Sequence, residues 1–156
     1  MKFPTIFTFI VAASTAQAGV NCNGSANCIH HGEDGADAMR KLRDIINQRI
    51  NVNRWYSNHE YVACQQRWYS SAGDYCVFLQ GTKNGASGGT IKARMDDLFN
   101  HGCETCGSVP INFHWPDSND DKDGILTVNY INGHPSAHPE QCDARIWNYD
   151  TWTYIC

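Results

Sequence analysis

The sequence predicts an α+β fold, an antiparallel sheet with helices packed on one face, stapled by disulfides. Three observations lead there. Two segments repeat apolar residues at helical spacing, several short segments alternate apolar with polar, and eight cysteines follow an export signal.

The signal comes first in the chain. MKFPTIFTFIVAASTAQAG places Lys2 before an apolar run at 6–13 and then Ala16-Gln17-Ala18. This is the pattern of a secretory signal peptide over residues 1–18, cleaved before Gly19. The run falls well short of the roughly 20 apolar residues that span a bilayer, so no stable membrane insertion is expected. Residues 19–156 form a single expected domain, secreted and extracellular. Cys22, Cys28, Cys64, Cys76, Cys103, Cys106, Cys142 and Cys156 all lie in it. An even count in an oxidising compartment predicts complete pairing, although eight cysteines allow about 105 connectivities.

Residues 36–50, ADAMRKLRDIINQRI, put Met39, Leu42, Ile45, Ile46 and Ile50 on one helical stripe, opposite Arg and Lys. Residues 90–101, TIKARMDDLFNH, do the same with Ile91, Met95, Leu98 and Phe99. Gly88-Gly89-Thr90 offers a start for this second helix and Gly102 a left-handed stop. Strand-like runs fall at 20–22, 75–80, 111–114, 125–131, 144–149 and 152–156. They are short and interleave with the helices, which favours antiparallel pairing in two layers. Met39, Leu42 and Ile46 with Ile91, Met95 and Leu98 are expected to face Val77, Leu79, Leu126 and Val128.

The formal charge is −4, and losing Lys2 with the leader makes the exported part more acidic. An acidic surface argues against nucleic acid, whose partners usually carry a basic patch. NHGCETCGS, residues 100–108, can be read as a metal clip, a redox dithiol or two anchors of a disulfide framework. Zinc would need another close Cys or His pair, and Pro135 and Pro139 disrupt the helical spacing of His134 and His138. The framework is the favoured reading, and no metal or cofactor is expected.

Other motifs have ordinary readings. NDDKDG, residues 119–124, matches the start of a calcium loop, but Tyr130 stands where the closing Glu belongs. An acidic turn before a strand is expected instead. Asn23-Gly24-Ser25 is a glycosylation sequon. His30, His31, Glu33, Asp34, His101 and His114 could do acid–base work, yet no motif with a mechanism joins them, and no enzyme is expected.

Three stretches resemble one family. VNCNGSANC (20–28), LFNHGCETCGSVP (98–110) and GILTVNYING (124–133) are similar, in this order, to motifs of the killer protein 4 family, the virus-encoded secreted toxin of corn smut fungus and its fungal homologues. The resemblance runs over residues 20–132. It implies a sheet with two helices on one side, and disulfides Cys22–Cys103 and Cys28–Cys106. It also implies that Cys64 pairs with a cysteine after the late strand, here Cys142, which leaves Cys76 with Cys156. The implied function is growth inhibition of competing fungi or disturbance of host cells, as toxin or virulence effector. The partner would be a cell-surface target, with a calcium channel as one candidate, and the protein a monomer.

This chain also departs from the family. The family toxin is basic, and a lysine two residues before the cysteine matched by Cys64 goes with its channel block; here that residue is Val62. An active surface would then lie elsewhere, with Arg54, Trp55, Arg67, Trp68 and Lys83 as candidates, because Arg and aromatic residues dominate binding hot spots. The alternative is a secreted effector or binding module that recognises a wall polysaccharide or host protein through its aromatics.

Overall fold

The computed structural model describes residues 19–28, 37–66, 73–114, 121–135 and 146–156. The expected signal peptide, the His30-His31 cluster with Glu33 and Asp34, Arg67, Trp68 and Cys142 lie outside the described residues.

Helix α1, Ala38–Arg49, buries Ala38, Met39, Leu42, Ile45 and Ile46. Its first turn is tied to the cysteine loop, where the Met39 amide donates to the Glu104 carbonyl at 3.0 Å. Helix α2, Gly88–Asn100, begins two residues before the expected start. Ser87 caps it, accepting from the Thr90 amide at 3.1 Å. The first of the extra residues is glycine because the backbone arrives too close for a side chain: a Cβ on Gly88 would lie 2.2 Å from the Asn51 carbonyl oxygen. The helix ends as expected at Gly102, φ +94°. There the Gly102 amide donates to Phe99 O at 3.0 Å and the Cys103 amide to Leu98 O at 3.2 Å, a Schellman closure.

The strands are β1 (Trp55–Tyr56), β2 (Tyr61–Gln66), β3 (Gly73–Gln80), β4 (Ala86–Ser87), β5 (Gly107–Pro110), β6 (Ile125–Asn132), β7 (Ile146–Asn148) and β8 (Thr153–Ile155). Six of them form one sheet in the order β5-β6-β3-β2-β8-β7, and β1 pairs with β4 apart from it. Every pairing between these strands is antiparallel. Pro110 sits on the edge strand β5, where a missing donor is tolerated. Helix α1 lies over β2, β3 and β8, α2 over β5 and β6, and the helices touch each other. The fold is therefore α+β, with both helices on one sheet face.

That face is the core. Met39, Leu42, Ile46, Ile91, Met95, Leu98, Val77, Leu79, Leu126 and Val128 are all buried in one cluster, as the periodicity predicts. Several readings need correction: residues 20–22 are not a strand but make a single antiparallel bridge, Asn21 with Ser108, and the strand Gly107–Pro110 was not expected. Residues 111–114 are a turn rather than a strand, closed by the Phe113 amide on Pro110 O at 3.0 Å. The alternation there reported burial correctly, with Ile111 and Phe113 inside and Asn112 and His114 outside, but not backbone form. Strand β2 went unread because YVACQQ runs its apolar residues together at 61–64 before two glutamines, without alternation. A bulge between Tyr61 and Ala63 further breaks its alternation and turns Tyr61 to the face of Phe78.

Cys22–Cys103 and Cys28–Cys106 are disulfides, the pairs the resemblance implies. They pin the N-terminal segment to the end of α2, close long loops, and answer for both cysteines of NHGCETCGS. The expected Cys64–Cys142 and Cys76–Cys156 bridges are not formed, because Cys64 bonds Cys76. The reason is register: these two residues are direct partners across β2 and β3, with Cα atoms 4.2 Å apart. That is the close, non-hydrogen-bonded spacing of an antiparallel ladder, at which two cysteines meet without moving the backbone. Cys156 is disulfide-bonded as well. Among the described residues no helix is long and apolar enough to cross a membrane.

Candidate functional site: a cleft between Trp55 and Asp123

The short β1–β4 ladder pairs Trp55 with Ser87 and Tyr56 with Ala86. Strand alternation sends neighbouring side chains to opposite sides. Tyr56 is accordingly buried, while Trp55 stands 60% exposed. Burial first of all pushes the Tyr56 phenol pKa up from its ordinary 10.0.

Trp55 is exposed but not loose. Its indole Nε1 donates to the Asn84 carbonyl at 2.6 Å, fixing the ring against the loop that follows β3. That loop is built to hold its shape. Gly81 and Gly85 take φ of +70° and +72°, where residues with a Cβ are strained. Thr82 Oγ1 accepts from the Gly85 amide at 2.9 Å and the Asn84 amide at 3.3 Å. A Cβ on Gly85 would lie 2.2 Å from Tyr56 O and 2.7 Å from Trp55 Nε1, so glycine is also what lets the indole approach.

The opposite wall comes from the acidic turn before β6. The Gly124 amide donates to Asp121 O at 2.8 Å, closing the turn, and Gly124 has φ +96°. A Cβ there would lie 2.7 Å from both Gln80 O and Thr82 N, so the turn seats directly on the loop carrying Lys83. The Asn112 side-chain amide donates through Nδ2 to the Asp123 carboxylate, joining the 111–114 turn to the same wall. Between the walls lies a cleft of about 420 Å³, lined by Trp55, Lys83, Asn84, Asn112, Lys122 and Asp123 among others. Lys83 is exposed and makes no hydrogen bond or ion pair among the described residues.

The sequence-derived candidates divide. Trp55 and Lys83 meet in this cleft. Arg54 does not join them: it donates to Glu60 at 2.6 Å and to the Cys156 carbonyl at 2.5 Å, and stacks over Tyr56. Its role is to tie the C-terminal strand to the β1 segment. Asn23, the sequon residue, is exposed. Asn112, Lys122 and Asp123 were missed as lining residues. The signal for them existed only through pairing, since Gln80 of β3 faces Ile125 of β6 and so brings GTKNG beside the acidic turn.

Two further polar groups lie elsewhere. On the sheet face away from the helices, the fully buried Asp74 carboxylate accepts from Tyr154 OH at 2.7 Å and lies 2.6 Å from His134 Nδ1. A second hollow holds His101, Phe113 and Asp97, whose carboxyl is pushed up chiefly by burial, against the nearby Arg94 guanidinium. His114 is exposed.

The Kp4 family model matches residues 5–132, most of the chain. The chain belongs to the Kp4 family. It is 29% identical to the KP4 killer toxin of Ustilago maydis P4 virus over 131 residues, covering 81% of this chain and 94% of the toxin. Kp4 membership supports a killer-toxin-like function. Disulfides among the described residues accord with a protein made for an oxidising, exported setting. Val62, which stands where the resemblance puts the lysine of channel block, is wholly buried in β2 and offers no surface contact.

Proposed function

We propose that this Kp4-family chain is secreted and inhibits the growth of competing fungi by binding a cell-surface target as a monomer, without catalysing a reaction. The similarity to KP4 killer toxin over nearly the whole of that toxin carries the reading. Interference with calcium uptake is its mechanism in this proposal. With Val62 buried, the cation presented to the target is Lys83, exposed at the lip of the cleft. The test is growth inhibition by the purified, disulfide-intact protein on a panel of fungi, with and without added calcium. The proposal expects inhibition that calcium relieves and that Lys83→Ala weakens. No inhibition of any fungus would overturn the toxin reading; inhibition indifferent to calcium would remove the calcium mechanism alone.

A further inference from the structure

Trp55 raises a question that toxin membership does not answer. Water-exposed tryptophan loses the benefit of burying its large apolar ring, so such a ring held rigidly in the open is a surface prepared for a ligand. Here the ring is held by its own N–H on Asn84 O, which leaves the indole face as the available part. Across from it stand an amide, a carboxylate and an ammonium group, from Asn112, Asp123 and Lys122, while the Lys83 ammonium belongs to the loop that holds the indole. The volume of about 420 Å³ lies within the usual range for small-molecule sites.

We infer that this cleft is a glycan site, which binds the sugar rings of a cell-wall polysaccharide by stacking on Trp55. A pyranose offers an apolar C–H face with hydroxyls around its rim. The cleft mirrors that pattern, with one aromatic wall and a rim of hydrogen-bonding groups of both kinds. Hydroxyls both donate and accept hydrogen bonds, so Asp123 can accept from them while Lys83 donates to them. Nucleic acid, the other common ligand of exposed aromatics, requires a basic groove, and here a carboxylate sits in the cleft of an acidic protein. Preorganisation adds to the fit. Thr82, Gly85 and Gly124 fix both walls before any ligand arrives, so little ordering remains to be done on binding.

The site deepens the toxin reading, on which its purpose rests: a secreted protein aimed at a walled cell meets polysaccharide before membrane. Its existence can be tested separately. The full-length exported protein is mixed with insoluble chitin, β-glucan and mannan, and the fraction retained is measured. At least one polymer should retain the parent. Trp55→Ala should weaken that retention about tenfold, the size of a lost aromatic contact, and Trp55→Phe less. Asn112→Ala, on the opposite wall, is a third variant and should weaken retention too. Circular dichroism of all three should match the parent. No retention on any polymer, or retention of Trp55→Ala and Asn112→Ala equal to that of the parent, overturns the inference. Growth assays on intact cells and on wall-free protoplasts then separate the two readings. A glycan-defective variant should lose potency on intact cells and keep it on protoplasts. A parent inactive on both would fail as a toxin while its retention on polysaccharide stood.

Discussion

Toward the helices, β3 presents Tyr75, Val77 and Leu79, and β6 presents Leu126, Val128 and Tyr130, all within one apolar cluster. The other face of the same sheet carries the Cys64–Cys76 bridge, the edge-on pair Tyr61–Phe78, and buried Asp74 held by Tyr154 and His134. One face is joined by area and shape, which are non-directional and tolerate exchange among residues of similar volume. The second depends on particular atoms meeting, by covalent bond or hydrogen bond. A single sheet can thus be held from two sides by two kinds of force, and the two sides should respond differently to substitution.

The largest expected effect lies on the helix side. Leu98→Ala should lower the urea-unfolding free energy by about 2–5 kcal/mol, and Leu98→Met by less than about 1.5 kcal/mol. Equal losses would mean that this face, too, demands particular atoms. On the opposite side, replacing Cys64 and Cys76 together by Ala should cost about 3 kcal/mol, the chain-entropy value for a loop of 12 residues. Non-reducing peptide mapping of the parent should show Cys64 joined to Cys76. A Cys64–Cys142 peptide would undo the contrast between the faces at its centre.

Asp74→Asn sharpens the comparison at smaller scale. It removes charge-assisted bonds to two partners and should cost about 1.5–3 kcal/mol. Because Tyr154→Phe breaks one of the same bonds, the double variant should lose less than the sum of the singles. Strict additivity would show that the three groups do not act as a network.

The smallest effect concerns pH. Burial raises the Asp97 pKa above its ordinary 3.8, so the folded state holds that proton more tightly than the unfolded one. Its contribution to stability therefore falls as pH rises from about 4 through the raised value, and is flat above it. Asp97→Asn should remove that decline, with a net change at neutral pH within about 0.5 kcal/mol. A decline that persists unchanged in the variant would assign it to another carboxyl.

Much of the helix-covered face could be read directly. Spacing of three and four put Met39, Leu42 and Ile46 on one stripe of α1 and Ile91, Met95 and Leu98 on one stripe of α2, and alternation did the same for Val77 and Leu79. Such patterns are local, and burial of one side of a helix or strand is what selects them. The other face gave weaker signals. Asp74 in GDYCVFLQ reads as a strand-breaking charge until Tyr154, 80 positions away, is known to lie beside it. Of the site, Trp55 and Lys83 stood out by residue type, but their companions on the opposite wall did not.

By itself, then, the amino-acid order determined the layer architecture, the two helices with Gly102 as a stop, the buried stripes and the use of cysteines as disulfides. These follow from residue properties repeated over a few turns or a few strand positions. Only the tertiary structure decided that Cys64 meets Cys76, that Arg54 turns away to Glu60 and the C-terminal carbonyl, and that Trp55 faces Asp123 across a cleft. Each of these depends on strand register, and register is a relation between distant segments. A one-residue slip would send every side chain of a strand to the opposite face while leaving its local pattern unchanged.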